Sequence, residues 1–266
     1  MLIAQLSDLH LTADLSGEAA HALRRAVAHL LEPGRRPDAV LITGDCTEHG
    51  EAAEYAVLQH LLRPLSMPVY AVPGNHDQRP AMLAALGCPG TQRLDGFLQF
   101  AAEAGPLRLL GLDTHVPGDG GGELCARRLD WLEARLNEAP AQPTLIFLHH
   151  PPAMSGLEVM DRLGLAQAGA LEALVARHPQ VERVLAGHVH MALTRRFGGT
   201  LLMTAPAPGH TWGPDLSRPH QLSVALQPGA CLLHHWSPHS GLVTLTSVIT
   251  PDQDVLELHD GVSWRS

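Results

Sequence analysis

The sequence lacks the cysteine pattern, the long apolar run and the basic clusters that mark several large classes of protein. Its four cysteines, Cys46, Cys88, Cys125 and Cys231, lie far apart and form no Cys-x-x-Cys pair. In a chain of 266 residues this spacing disfavours a disulfide framework and favours reduced, buried thiols. No run of about 18 apolar residues occurs, which predicts no membrane span. The formal net charge of −9 argues against general binding to a nucleic-acid backbone.

The composition that remains is that of a globular protein. Hydrophobic residues make up 45% of the chain and charged residues 17%, and the length allows a sizeable core. The first residues, Met1 to Asp8, resemble a β-strand and not a secretory signal, so we expect a cytoplasmic protein.

Apolar runs alternate with helical patterns as far as Ala186, which predicts an α/β layered fold with much parallel pairing. Strands are predicted at 2–6, 39–43, 69–72, 98–102, 107–112, 144–148 and 181–186. Helices are predicted at 19–31, 52–62, 81–86, 123–136 and 170–177. After Gly187 only strands are predicted, at 201–204, 222–226, 231–236 and 242–249. The chain therefore divides into a core, 1–200, and a β-rich segment, 201–266. We expect this segment to complete the second sheet, and to cap a site or form a homodimer contact.

Five short segments follow predicted strands and carry carboxylate, imidazole or amide groups. They are Asp8-Leu9-His10, Gly44-Asp45, Gly74-Asn75-His76-Asp77, His149-His150 and Gly187-His188-Val189-His190. Ligands of α/β folds collect outside the carboxyl ends of strands, so these segments predict one shared site. Mixed oxygen and nitrogen ligands suit Zn, Mn, Fe or Co, and the number of ligands exceeds what one tetrahedral ion needs. We expect two ions, which together could clamp the oxygens of a phosphoryl centre.

In this order the five segments resemble the motifs of the calcineurin-like metallophosphoesterase superfamily. Within it, the chain is most similar to bacterial class III cyclic nucleotide phosphodiesterases and glycerophosphodiesterases, also in residues 122–132. The resemblance implies a four-layer α-β-β-α sandwich, in which two mixed sheets are flanked by helices. It also implies a core, 1–200, that is the metallophosphoesterase domain.

Carried over by position, the resemblance implies two metal sites that share Asp45. The first would consist of Asp8, His10, Asp45 and His190. The second would consist of Asp45, Asn75, His149 and His188. His76 would be the catalytic residue that assists the leaving group, and Asn75, His76 and His210 would contact the substrate. Around His210 the related enzymes usually have a Ser or Thr followed by Gln, where this chain has Thr211-Trp212.

The implied activity is hydrolysis of a small phosphodiester, such as a cyclic nucleotide, by in-line attack of a metal-bridging hydroxide. A phosphomonoesterase or nucleotide pyrophosphatase would use the same site, and a non-catalytic scaffold is a further alternative. The ligand set does not distinguish Fe, Mn, Zn and Co.

Several polar residues near the motifs have more than one interpretation. His150 either packs near the site or supports a ligand. Asp77 either orients His76 or caps the helix near Ala81. Asp113 and His115 follow a predicted strand, and a structural role is favoured for both. The imidazoles of the C-terminal segment are predicted to lie on the surface: His234, His235 and His239.

Overall fold

The structure is a computed structural model that describes residues 1–87, 90 and 92–250. Cys88 and residues 251–266, the end of the predicted C-terminal segment, lie outside the described residues. The described helices are α1 (Glu18–Leu31), α2 (Ala52–Leu62), α3 (Arg79–Leu86), α4 (Ala126–Glu138), α5 (Glu158–Asp161) and α6 (Ala168–Val175). The described strands are β1 (Leu2–Leu6), β2 (Ala39–Thr43), β3 (Val69–Val72), β4 (Gln92–Arg93), β5 (Phe100–Ala104), β6 (Leu107–Gly111), β7 (Gly122–Glu123), β8 (Thr144–Phe147), β9 (Leu165–Ala166), β10 (Val181–Ala186), β11 (Leu193–Phe197), β12 (Thr200–Thr204), β13 (Thr211–Trp212), β14 (Val224–Ala225), β15 (Ala230–Ser237) and β16 (Gly241–Val248).

Most of the strands form two mixed sheets. The first has the order β16-β15-β1-β2-β3, and the second has the order β11-β12-β10-β8-β6-β5-β4. Strands β1, β2 and β3 are parallel, as are β6, β8, β10 and β12. Parallel pairing directs the carboxyl ends of neighbouring strands to one edge of a sheet, and the five motif segments follow strands of these two parallel groups.

The two sheets pack face to face between layers of helix, which confirms the predicted four-layer sandwich. Alternate residues of β8 point to opposite faces of its sheet. Leu145 and Phe147 belong to the apolar cluster that contains β1, β2, α1 and α2. Ile146 belongs to a second cluster with Trp131 of α4 and Leu174 of α6. No described helix is long and apolar enough to cross a membrane.

The C-terminal strands contribute to both sheets. Strand β12 lies beside β10 in the second sheet, whereas β15 and β16 extend the first sheet beyond β1. The predicted strand at 222–226 is limited to the short β14, and β11 was not predicted. The division of the chain at residue 200 stays a prediction, as do the capping role and the homodimer contact.

His234 corrects the prediction that the C-terminal imidazoles lie on the surface. Its side chain is fully buried, whereas His235 and His239 are exposed. Strand β15 lies between β1 and β16, so inward-facing residues of β15 have no access to solvent. The ring Nε2 donates to Gln5 Oε1 at 3.1 Å, and Nδ1 accepts from the Thr244 hydroxyl at 2.9 Å. The thiols of Cys46 and Cys231 are free and buried, as expected, and Cys125 is free and half-buried.

Candidate metal centre

The five motif segments meet at the carboxyl ends of β1, β2, β3, β8 and β10, and their side chains lie within a few ångströms of one another. His10 Nε2 is 3.2 Å from His190 Nε2, although the two residues are 180 positions apart in the chain. His149 Nε2 is 3.3 Å from His188 Nδ1. The fold therefore brings the predicted residues into one cluster.

The first predicted set surrounds a small space between β1 and the segment after β10. His190 Nε2 lies 3.6 Å from Asp8 Oδ1, and His10 Nε2 lies 3.6 Å from Asp45 Oδ2. The donor atoms of Asp8, His10 and His190 all lie within 4.8 Å of one another and could hold a metal ion.

The second predicted set adjoins the first through Asp45. Its Oδ2 lies 3.3 Å from His149 Nε2, and the same nitrogen lies 3.1 Å from Asn75 Oδ1. One carboxylate oxygen of Asp45 thus faces a ring of each set, the arrangement expected of a bridging residue. Asp8 is also within reach of the second set, because Asp8, Asp45 and His149 form a further group with metal-ligand spacing.

The backbone at these strand ends adopts an unusual conformation. The described non-glycine residues with positive φ are Asp8 (55°), His10 (47°), Asp45 (48°), Gln167 (63°), His188 (71°) and His190 (51°). All but Gln167 belong to the predicted ligand set. Residues other than glycine rarely adopt positive φ, and such strain is concentrated at functional sites.

Two glycines allow the motif segments to approach this closely. A Cβ on Gly44 would collide with the ring of His149, and Gly44 also has φ of 90°. A Cβ on Gly74 would collide with the Asp45 carboxylate and with the Asp45 backbone nitrogen. Both glycines therefore have a steric role, and Gly44 has a conformational one as well.

Hydrogen bonds to the far side of the rings orient the nitrogens that face the site. His149 Nδ1 donates to the carbonyl of Thr43 at 2.8 Å. His10 Nδ1 lies 2.7 Å from Glu48 Oε2. Each contact leaves Nε2 directed at the centre, which is the usual way in which a protein fixes a metal-binding imidazole. Glu48 was not predicted, although it lies three residues after Asp45.

Burial controls the charges in the cluster. Burial raises the pKa of Asp8 to about 6. Burial opposes ionisation of Asp45 too, but the adjacent His149 ring holds the Asp45 pKa well below its usual range. Burial alone would lower the pKa of His149, but the attraction of the Asp45 carboxylate for the imidazolium is stronger than this effect and raises the pKa to about 9. Burial lowers the pKa of His188 to about 3, so that ring is neutral and offers a nitrogen lone pair.

These residues fit divalent metal ions. Two buried carboxylates face several imidazole nitrogens, and the only positive charge opposite Asp45 in the second set is the proton on His149. A metal ion in place of that proton would satisfy the same carboxylate. The ring nitrogens that face the cluster lie against other predicted ligands: His190 Nε2 is 3.2 Å from His10 Nε2, and His188 Nδ1 is 3.3 Å from His149 Nε2. The mixture of imidazole and carboxylate suits Zn, Mn, Fe or Co, as the sequence indicated.

The remaining predicted residues line a cavity of about 300 Å³ over the cluster. It is lined by His10, Asp45, Glu48, Asn75, His76, Met160, Leu163, His188, His190, His210 and Trp212. His76 Nδ1 donates to the carbonyl of Glu48 at 2.8 Å, which leaves Nε2 to face the cavity. The ring of His210 lies 4.5 Å from that of His190 and 5.8 Å from that of His10, measured between centroids. Met160, Leu163 and Trp212 were not predicted, because no motif marks them.

The polar residues with open interpretations have structural contacts. His150 accepts from Thr114 at Nδ1 (2.8 Å) and contacts the Gly120 carbonyl at Nε2 (3.2 Å), so both nitrogens have partners, although His149, His150 and His188 also form a group with metal-ligand spacing. The Asp77 carboxylate accepts from the backbone of Cys46 and Gly74 and not from His76. Asp77 thus joins two motif loops.

Asp113 lies away from the cavity lining and is buried. It forms a two-point ion pair with Arg79, at 2.6 and 2.8 Å, and accepts from the backbone of Leu98 at 2.8 Å. His115 is buried beside this pair. These contacts tie α3 to the second sheet and favour the structural interpretation of both residues.

Comparison with known proteins is consistent with this geometry. The family model for calcineurin-like phosphoesterase matches residues 1–192. The probable glycerophosphodiester phosphodiesterase GpdQ of Arcobacter nitrofigilis is 33% identical over 258 residues, which cover 94% of this chain and 93% of that protein. The 3′,5′-cyclic adenosine monophosphate phosphodiesterase CpdA of Pseudomonas aeruginosa is 33% identical over 212 residues, 78% of this chain and 76% of that protein.

A solved structure shows the same fold at lower sequence identity. A dimetal phosphatase from Danio rerio superposes with a TM-score of 0.67 at 18% identity, over 94% of this chain and 99% of that one. The likeness supports the two-sheet architecture.

Proposed function

The chain belongs to the calcineurin-like phosphoesterase family, and we propose that it hydrolyses small phosphodiesters, cyclic nucleotides among them, with two metal ions. The first ion would bind Asp8, His10, Asp45 and His190. The second would bind Asp45, Asn75, His149 and His188. The position of Asp45 Oδ2, 3.6 Å from His10 Nε2 and 3.3 Å from His149 Nε2, supports its assignment to both ions.

The charge of the cavity wall is the observation that carries the choice of a diester. None of the described residues that line the cavity is an arginine, and the sequence contains no lysine. Glu48 adds a carboxylate to the wall. A phosphomonoester is largely a dianion at neutral pH and gains from guanidinium or ammonium groups, whereas a diester is a monoanion and needs fewer cations. The volume of about 300 Å³ favours a compact substrate.

Metal ions in this site would supply Lewis acidity at the phosphoryl oxygens and lower the pKa of a bound water. The protein groups do the rest. His76 Nε2 faces the cavity because Nδ1 donates to Glu48, so a protonated His76 can donate a proton to the departing alkoxide. Asn75 directs Oδ1 towards His149, which leaves its amide N–H groups for a phosphoryl oxygen. His210 lies beside His190 at the rim, where it can contact the same phosphate.

A hydrolysis panel tests the proposal. Protein loaded with Mn²⁺ is assayed on 3′,5′-cyclic AMP, 2′,3′-cyclic AMP, glycerophosphocholine, bis(p-nitrophenyl) phosphate and p-nitrophenyl phosphate. We expect kcat/KM for at least one diester to exceed that for the monoester by about tenfold or more, a difference of about 1.4 kcal/mol. A preference for the monoester would contradict the proposal.

The metal assignment is tested separately. Asp45→Asn should lower both the metal content and the turnover of the best diester, because one carboxylate serves both ions. Asp130→Asn, an exposed position on α4, is the matched control and should change neither. Full metal content and normal hydrolysis in the Asp45 variant would rule out its bridging role.

A further inference from the structure

One wall of the cavity is apolar, and its residues belong to no motif. Met160, Leu163 and Trp212 face a space that is otherwise lined by imidazole, amide and carboxylate groups. We propose that this apolar wall, defined as Met160, Leu163 and Trp212, binds the organic group that stays on phosphorus and selects diesters in which that group is uncharged and apolar or planar. The inference rests on the proposed function and narrows its substrate class.

The apolar wall is a built part of the structure. Met160 and Trp212 pack in a small cluster with Leu157, Val189 and Leu222, which is distinct from the two cores on either side of the second sheet. The backbone N–H of Glu158 donates to the Pro219 carbonyl at 2.8 Å and joins the α5 segment to the segment that follows β13. Met160 and Trp212 are therefore held in place before any substrate binds, which reduces the entropic cost of binding.

The charged residues next to the wall are already paired. The Asp161 carboxylate accepts from the Ser155 hydroxyl, at 2.7 Å, and from the backbone of Ser155 and Gly156. Arg162 is paired with Glu158 at 3.3 Å. The carboxylates of Asp161 and Glu158 are therefore engaged within the protein, while an aryl or nucleoside group would bury apolar surface at this wall.

The order of the rings across the site indicates which ester group meets the wall. Measured between ring centroids, His76 lies 4.7 Å from His10. His10 lies 5.0 Å from His190, and His190 lies 4.6 Å from Trp212. In this series of neighbouring rings His76 comes first and Trp212 last. If His76 assists the leaving group, the group that meets Trp212 is the one retained in the product.

A series of esters with a common leaving group tests this assignment. In methyl p-nitrophenyl phosphate, phenyl p-nitrophenyl phosphate and p-nitrophenyl phosphorylcholine, water adds to phosphorus and the bond to p-nitrophenolate breaks. The methyl, phenyl or choline group stays on the product. We expect the lowest KM for the phenyl ester.

Leu163 is the position to change, because Trp212 also stacks on His190 and its loss would disturb a predicted ligand. Leu163→Asn keeps the side-chain size and removes its apolar character. It should lower kcat/KM for the phenyl ester about tenfold, equivalent to about 1.4 kcal/mol, chiefly by raising KM. The value of kcat/KM for the methyl ester should change less than about twofold. The single variant Leu163→Met keeps an apolar side chain and should therefore retain the lower KM for the phenyl ester.

The matched control is Leu216→Asn, since Leu216 lies beside Gly156, just before α5, but is 67% exposed and does not line the cavity. This variant should leave kcat/KM and KM unchanged for all three esters. Metal content and thermal unfolding of each variant show whether the site and the fold are intact.

A readout that needs no turnover is the affinity of the products. Phenyl phosphate should bind the Mn²⁺-loaded protein more tightly than methyl phosphate in calorimetry, and Leu163→Asn should remove the difference. Two results would overturn the inference. One is an equal loss of kcat/KM for the phenyl and methyl esters in Leu163→Asn, and the other is equal affinity of the two products for the unmodified protein. If no diester is hydrolysed although the product affinities differ, the proposed function fails and the apolar wall stands.

Discussion

The carboxylate of Asp77 offers a direct test of how the site is held together. Its Oδ1 accepts from the Tyr55 hydroxyl at 2.8 Å and from the backbone and hydroxyl of Thr47 at 3.3 and 3.2 Å. Its Oδ2 accepts from the backbone of Cys46 and Gly74 at 3.1 and 3.0 Å. Asp77 thereby joins the loop that carries Asp45 to the loop that carries Asn75, and we predict that Asp77→Ala separates the two.

The size of the effect follows from the donors that lose their acceptor. Each buried donor left without a partner costs about 1–3 kcal/mol, although water and relaxation recover part of the total. Burial already opposes ionisation of Asp77 and raises its pKa, so part of the loss is offset. We expect a net loss of about 3–5 kcal/mol in the free energy of unfolding. For a domain of this size, that lowers Tm by about 6–20 °C.

Chemical denaturation monitored by circular dichroism measures the loss, and metal analysis of the same samples shows whether the two loops still form the site. The free energy of unfolding of Asp77→Asn should lie between those of the wild type and Asp77→Ala. The amide oxygen still accepts hydrogen bonds, while the NH₂ group faces backbone donors. Asp130→Ala, an exposed change of the same type on α4, should be within about 0.5 kcal/mol of wild type. A loss below about 1 kcal/mol for Asp77→Ala, with metal content retained, would refute the reasoning.

Three further changes probe other parts of the structure. Gly74→Ala should lower turnover at least about a hundredfold, because its Cβ would displace the Asp45 carboxylate; steady-state kinetics measures this. Glu48→Gln should weaken metal binding about tenfold, because His10 Nδ1 loses its carboxylate partner; titration against a competing chelator measures this. Burial lowers the pKa of His234 from 6.5 to about 3, so between these values the unfolded chain binds more protons and stability falls as pH falls. His234→Gln should remove about 2 kcal/mol of the stability difference between pH 7 and pH 5, measured by urea denaturation at both pH values.

Each of these changes has a control within the chain. Gly209→Ala should be tolerated, since its Cβ would lie at an ordinary 3.6 Å from Ala22 Cβ. Glu133→Gln, on the surface of α4, should leave metal affinity unchanged. His239→Gln, an exposed imidazole, should leave the pH dependence unchanged. An unchanged pH dependence in the His234 variant would mean that this ring does not limit stability in acid.

The parts of the fold that were predictable are those with a strong local pattern. The run Ala39–Thr43 is apolar except for its last residue, and a buried parallel strand has that pattern because both of its faces are covered. Helix α2 has the predicted bounds, since Pro64 ends the helical pattern and Glu51 with Glu54 forms a capping box at its start. Strand β11 was not predicted, because Arg195 and Arg196 interrupt its apolar pattern at the edge of the sheet.

The residues of the candidate site were predictable where the side-chain type itself indicates metal binding. They were not predictable where a residue takes part only because the fold places it at the cavity. Carboxylate and imidazole at strand ends indicate a metal site whatever the fold. The roles of Glu48 and Trp212 depend on which loops meet at the cavity, and residues 154–163 and 210–225 have no pattern that specifies their pairing. The same reason explains His234, because the burial of a polar ring in β15 follows from pairing with strands distant in the chain.

The backbone at the strand ends leads us to expect that metal binding and folding are coupled in this site. At positive φ the chain turns sharply after its strand, and the side chains of Asp8, Asp45 and His188 meet in one cluster at the strand ends. Each such residue costs about 1–3 kcal/mol, so the five predicted ligands with positive φ together oppose folding by at least about 5 kcal/mol. The burial of two carboxylates adds a further electrostatic cost, visible in the raised pKa of Asp8. A bound cation would offset both costs, because it would neutralise the carboxylates and have contacts only with this strained arrangement.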